Sequence, residues 1–394
     1  MQANPYVYPF IPFQDLSNKK FLDNFIADQF IATNDLSKLI AAIPVVQPRI
    51  LGQDINSRLL DIFLDDNYCY GPKENIQNNL AFWHGRFNYF TKQQAPIRLI
   101  ILGFPFKIPV PLKTDHTMPD LGEVLSLHRL YTITQLIREV YSPGATLTIF
   151  TEGVFGKPPH QNFWCGGKFT GVERDEWTAY REQLKNLIKI LGYENSLSVT
   201  DLEEIESLVP DFQTQYEDNV QKFKKQFADG EVEAIKKYDA TFPSVYRLVS
   251  SREYPYEDLL DVYNDDLPDN AVTKSVLEIR QDLRRKARES IFCYHAYHQT
   301  RYDTGVMDKA APNAIYLTVS PKVGRLGIYP ISKDVHRLPY HGVPVWHESE
   351  KRFNIEYLVD IRRQSGPYTK VYLRDDLEQQ PFYYIDDKQL SFPT

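Results

Sequence analysis

Ile97-Arg98-Leu99-Ile100-Ile101-Leu102-Gly103 is a short, nearly continuous apolar run that ends in glycine. A strand with one wet face would alternate apolar and polar residues; a run like this one is the pattern of a parallel strand covered on both faces. A long helical pattern follows from Leu121 to Tyr141 and is stopped by Ser142-Pro143-Gly144. A second buried run, Ala145-Thr146-Leu147-Thr148-Ile149-Phe150-Thr151, ends at Glu152-Gly153. Another helix, about Asp175 to Leu191, leads through Gly192 to a third strand, Leu197-Ser198-Val199-Thr200-Asp201. Strand, helix, strand, helix, strand predicts an α/β fold. The expected architecture is a Rossmann-like, doubly wound, mostly parallel sheet with an N-terminal helical cover and a C-terminal β-rich extension.

Working outward, residues 1–95 read as the mostly helical cover, because Asn24-Phe25-Ile26-Ala27-Asp28-Gln29-Phe30-Ile31 and the stretch Ile55 to Leu64 repeat apolar positions every three or four residues. Residues 96–350 form the Rossmann-like catalytic domain, with an acidic helical insertion at about 202–240, and 351–394 the extension. Ala271 to about Tyr302 is a long helix on which Arg280, Arg284, Arg285 and Arg288 make a basic face. Ala314 to Ser320 and Arg325 to Ile331 read as a hairpin across Lys322-Val323-Gly324.

With 42% apolar and 25% charged residues in 394, the chain is neither fibrous nor wholly disordered. Lys and Arg total 45 against 52 Asp and Glu, a net charge of −7, which argues against a nucleic-acid or membrane partner. Any bound anion needs a local basic pocket. Cys69, Cys165 and Cys293 are too few and too scattered for a disulfide framework or a cysteine-rich zinc site. No apolar stretch approaches the roughly 18 residues of a membrane span, and the N-terminus has no secretory pattern, so a cytoplasmic protein is expected.

In doubly wound sheets, ligands bind beyond the carboxyl ends of the strands. Those ends carry Gly103-Phe104-Pro105-Phe106-Lys107, then Glu152, then Asp201. Prolines stiffen the first loop and hold Lys107 and Lys113 where an anion fits, while Asp120 and Glu123 begin the next helix. Simple capping explains Asp120 equally well. No G-x-G-x-x-G, phosphate-binding G-x-x-x-x-G-K-[ST] or G-x-S-x-G motif is present, which disfavours nicotinamide, ATP and α/β-hydrolase chemistry. Cys165, His295 and His298 read as structural residues, without the partners of a nucleophile or metal site. His341, in His341-Gly342-Val343, is equally a turn residue or an acid/base.

Leu99 to Lys107, Pro119-Asp120-Leu121-Gly122-Glu123 with Leu127, Tyr141-Ser142-Pro143-Gly144-Ala145, Thr151-Glu152-Gly153 and His341-Gly342-Val343 together resemble the isocyanide (isonitrile) synthases of the pyoverdine/dityrosine biosynthesis family. The resemblance covers about residues 95–350. One departure is that the family's usual Ser-Ile-His reads Thr318-Val319-Ser320 here, so no role of that histidine carries over. The resemblance implies conversion of an amino acid's α-amino group to an isocyanide, with ribulose 5-phosphate as carbon source and no nucleotide cofactor or metal. Family members act mostly on L-tyrosine or L-tryptophan, often beside a non-haem iron, 2-oxoglutarate-dependent oxygenase. On that reading Glu152, Asp201 and His341 handle protons, while Lys107, Lys113, Asp120, Glu123, Arg280 and Arg284 bind the amino acid and phosphosugar. N-formylation of tyrosine and a non-catalytic binding module remain open alternatives.

Overall fold

The computed structural model describes residues 25–31, 36–41, 43, 45–104, 107, 113–114, 116–151, 171–253, 268–319, 324–335, 337–363, 368–373 and 380–386. Its strands are β1 (Phe25–Ile31), β2 (Ile97–Leu102), β3 (Ala145–Thr151), β4 (Leu197–Asp201), β5 (Ile315–Thr318), β6 (Leu326–Gly327), β7 (Val343–His347), β8 (Arg352–Glu356), β9 (Tyr368–Leu373) and β10 (Pro381–Asp386). The longer helices are α1 (Ile55–Leu64), α2 (Leu80–Thr91), α3 (Leu121–Val140), α4 (Gly171–Ile190), α5 (Phe212–Ala228), α6 (Val232–Glu253) and α7 (Lys274–Thr304).

The central sheet has the order β4-β3-β2-β5-β6 and every neighbouring pair is parallel. Successive residues of β2 face opposite cores. Leu99 and Ile101 join Leu147 and Ile149 in a cluster with α1, α2, α3 and α4. Ile100 joins Phe150 in a second cluster with Phe212, Tyr216, Ala296 and Tyr297 of α5 and α7. Burial on both faces is why the run lacks alternation: only Arg98 of β2 is exposed. The order fits the expected doubly wound fold, and the chain reverses its direction of progress between β2 and β5, where such sheets open a crevice.

Two expectations need correction. β5 and β6 run parallel, not as a hairpin. The edge strand is held from outside, since Tyr70 N–H donates to Gly327 O at 3.0 Å and Cys69 bridges Ile328. Phe25–Ile31 is a strand, not part of a helix: it pairs in parallel with β9, more than 300 positions along the chain. It thereby edges a second, mixed sheet of order β1-β9-β10-β7-β8.

The acidic region is helical, and α5 and α6 pack with α7 around Phe223, Tyr238, Tyr246, Leu283 and Phe292. Thr273 caps the start of α7 and Gly305, at φ +59°, ends it.

Candidate functional site

The loop leaving β2 at the switch point begins with Gly103 and Phe104. Phe104 is buried at φ +50°, in the left-handed region that bulky residues rarely occupy. Lys107, three positions on, has a fully enclosed side chain.

Lys107 meets the N-terminus of α3. Asp120 caps this helix, its Oδ1 accepting from Gly122 N–H at 2.7 Å, and Glu123 completes a capping box by accepting from Asp120 N–H at 2.9 Å. Capping boxes ordinarily sit at a wet surface; here both carboxylates are fully buried around the lysine. Lys107 Nζ contacts Asp120 Oδ2 and lies 3.1 Å from Glu123 Oε2, while His116 Nε2 lies 3.1 Å from Asp120 Oδ2.

One ammonium cannot balance two buried carboxylates, so ionising both is costly. Burial pushes the Glu123 carboxyl up to about 7, against the pull of Lys107 and with the added push of Asp120. For Asp120 burial also opposes ionisation, but Lys107 and His116 outweigh it and hold the group below the usual carboxylate range. The pair therefore keeps unlike protonation states near neutral pH, the condition for one group to donate a proton while its neighbour stays charged.

α4 closes this cluster from another side. The Tyr180 hydroxyl donates to Glu123 Oε1 at 3.2 Å. On the next residue, Arg181 Nη1 lies 2.9 Å from Asp201 Oδ2 at the end of β4. The Thr151 hydroxyl, at the end of β3, donates to the same Asp201 oxygen at 3.4 Å. One turn of helix thus ties the Glu123 and Asp201 carboxylates to a common support. Neither Tyr180 nor Arg181 was singled out from sequence; a tyrosine in a helix's apolar stripe reads as core.

Phe104 and Tyr340 meet edge to face with centroids 6.3 Å apart, and Tyr340 adjoins His341 at 4.8 Å. Burial pushes the His341 imidazole well below its ordinary pKa and the charge of Lys113 adds to this, so the ring is neutral near pH 7. The backbone of Lys113 accepts from Leu358 N–H at 3.1 Å, two residues beyond the end of β8.

The structure therefore brings Lys107, Asp120 and Glu123 into direct contact and links Asp201 to them through α4. Glu152, like Cys165, lies outside the described residues. Lys107 does not fit its expected role as a phosphate cation, because its charge is enclosed by two carboxylates. Arg280 and Arg284 do not fit either: Arg280 is fully buried and lies 3.6 Å from Asp269, and Arg284 bonds the same carboxylate at 3.0 and 3.1 Å. They belong to the start of α7, which packs on α5 and α6. His295 Nε2 lies 3.1 Å from Thr241 Oγ1 and 3.3 Å from Lys237 O. Among the described residues no group of three or more His, Cys, Asp or Glu is placed to hold a metal ion, and no helix is long and apolar enough to cross a membrane.

Comparison with known proteins identifies the family. The family described as pyoverdine/dityrosine biosynthesis protein matches residues 87–357. An L-tyrosine isonitrile synthase of Xenorhabdus nematophila is 30% identical over 269 residues, covering 66% of this chain and 70% of that one. An L-tryptophan isonitrile synthase of Fischerella ambigua is 25% identical over 283 residues, covering 69% and 76%. The crystal structure of the PvcA protein from Pseudomonas aeruginosa shares the fold, with a TM-score of 0.60 and 21% identity over 84% of this chain and 99% of that one.

Proposed function

Because the chain belongs to the pyoverdine/dityrosine biosynthesis protein family, we propose that it is an isocyanide synthase. It converts the α-amino group of an aromatic L-amino acid, tyrosine in our reading, to an isocyanide and takes the added carbon from ribulose 5-phosphate. The observation that carries this reading is the buried Lys107–Asp120–Glu123 cluster at the switch point of the sheet. Condensing an amine with a sugar ketone, losing water to give an imine, shifting protons and cleaving both carbon–carbon bonds of the former ketone carbon, so that this carbon alone stays on nitrogen, all call for positioned acids and bases. Glu123, poised near neutrality, supplies an acid; Asp201 and the neutral His341 supply bases. The neighbouring rings of Phe104 and Tyr340 suit an aromatic side chain. The product is one that a non-haem iron, 2-oxoglutarate-dependent oxygenase would take up.

The test is incubation of the full chain with ribulose 5-phosphate and a panel of amino acids, followed by mass spectrometry. An isocyanide is about 10 mass units heavier than its amino acid, and an N-formyl product about 28. The expected result is the lighter product, formed fastest from L-tyrosine. Formyl product alone, or binding of both compounds without turnover, overturns the proposal.

A further inference from the structure

α4 buries Trp177, Tyr180, Leu184, Leu187 and Ile188, a stripe at helical spacing that faces the core. Tyr180 is 1% exposed, and phenylalanine would fill the same apolar space without a polar atom to satisfy. A buried hydroxyl is costly unless it is bonded. This one is bonded to Glu123 Oε1, while Lys107 and the Asp120 N–H occupy Oε2. Tyr180 therefore fixes the rotation of the Glu123 carboxyl, and it comes from a different element than the other donors. Its neighbour Arg181 holds Asp201, which fixes the register of α4 at this turn.

We propose that Tyr180 is a positioning residue of the isocyanide synthase site, orienting Glu123 through its hydroxyl and setting the pH range over which that carboxyl exchanges its proton. The inference rests on the proposed function for its consequences in turnover, but not for the hydrogen bond itself. The groups facing Glu123 among the described residues are Lys107, Asp120 and Tyr180, with His116 one contact further away on Asp120 and Tyr340 near the Tyr180 ring. A donor to a carboxylate favours the charged form. Removing it raises the carboxyl's pKa, and strengthening it lowers the pKa.

The experiment compares wild type, Tyr180→Phe, and protein carrying 3-fluorotyrosine at position 180, whose hydroxyl is a stronger donor. Infrared titration of the carboxyl band, assigned by its loss in Glu123→Gln, reads the protonation midpoint without any turnover. pH–rate profiles with tyrosine and ribulose 5-phosphate read its effect on the reaction. In Tyr180→Phe we expect the midpoint and the matching limb of the rate profile to rise by about one pH unit, with kcat lowered and KM for the amino acid little changed. In the fluorotyrosine protein we expect both to fall. A merely structural tyrosine would change stability but give no opposed shifts. Unmoved midpoints in both proteins overturn the inference, whatever the activity. Opposed midpoint shifts in a protein that makes no isocyanide would uphold the Tyr180–Glu123 coupling and sink the proposed function instead. The fluorotyrosine protein decides the matter alone should the phenylalanine variant not fold.

Discussion

Lys107 Nζ lies 3.1 Å from Glu123 Oε2, with both side chains wholly enclosed and the Asp120 carboxylate on the same ammonium. Partners sixteen positions apart are joined here because the helix cap at Asp120 turns inward, so one motif both ends a helix and houses a charge cluster.

Replacing the lysine is therefore expected to do more than remove a contact. In Lys107→Met two carboxylates lose their only described lysine partner inside the protein. We expect a loss of about 3–5 kcal/mol, the usual scale when one member of a buried ion cluster is removed. Chemical denaturation followed by circular dichroism measures it; a loss below about 1 kcal/mol would mean that the cluster is wet.

The protonation of Glu123 gives a prediction with a definite sign. Its folded-state pKa of about 7 is above the ordinary 4.5 of glutamate, so the folded protein holds this proton more tightly than the unfolded chain. The stability it contributes is present below the unfolded value and is lost as pH rises through 7. Glu123→Gln keeps the shape and stays neutral. Its stability relative to wild type should therefore improve between pH 5 and pH 8, and a difference that is constant across this range would contradict the assignment.

His347 carries a second test of the same sign, in the second sheet. Its Nε2 lies 2.9 Å from Glu356 Oε1 and its Nδ1 3.2 Å from Asp386 Oδ2, joining β7 to β8 and β10. The Glu356 contact, with that of Asp386, raises the imidazole pKa despite partial burial. The stabilisation is complete below the unfolded value of about 6.5 and disappears as pH passes above the folded one. His347→Gln should cost more stability at pH 6 than at pH 9 in denaturant titrations; equal costs would show that the ion pairs do not form.

Gly327 tests the edge of the central sheet. A Cβ built there would stand 1.9 Å from the backbone oxygen of Tyr70. The strand would have to move off the Cys69–Tyr70 segment, so Gly327→Ala is expected to destabilise by about 1–3 kcal/mol and to lower the thermal midpoint. An unchanged midpoint would refute the close approach.

Much of the central sheet was legible because β2, buried on both faces, leaves a nearly continuous apolar run at Ile97, while the runs from Ala145 and Leu197 are strand-length segments of apolar and β-branched residues bounded by glycine or a helix start. Phe25–Ile31 was not legible, since its strand character comes from pairing with Tyr368–Leu373 and leaves no local period. The parallel β5–β6 pair was likewise hidden, for a glycine turn reads as a hairpin unless an outside segment takes the edge. At the site, the loop lysine and the Asp120/Glu123 helix start were readable, but their mutual neutralisation was not. Sequence spacing cannot tell a lysine pointing to solvent from one turned under a cap. Tyr180 and Arg181 escaped notice because an amphipathic helix gives no sign of which polar atoms reach across the core.

The central claim is that isocyanide formation depends on the acid at position 123. It is tested most directly by assaying wild type and Glu123→Gln side by side with L-tyrosine and ribulose 5-phosphate, after circular dichroism has shown both to be folded. The account predicts a product about 10 mass units above tyrosine from wild type and a rate at least about a hundredfold lower from the variant. Equal rates of that product from the two proteins would contradict it.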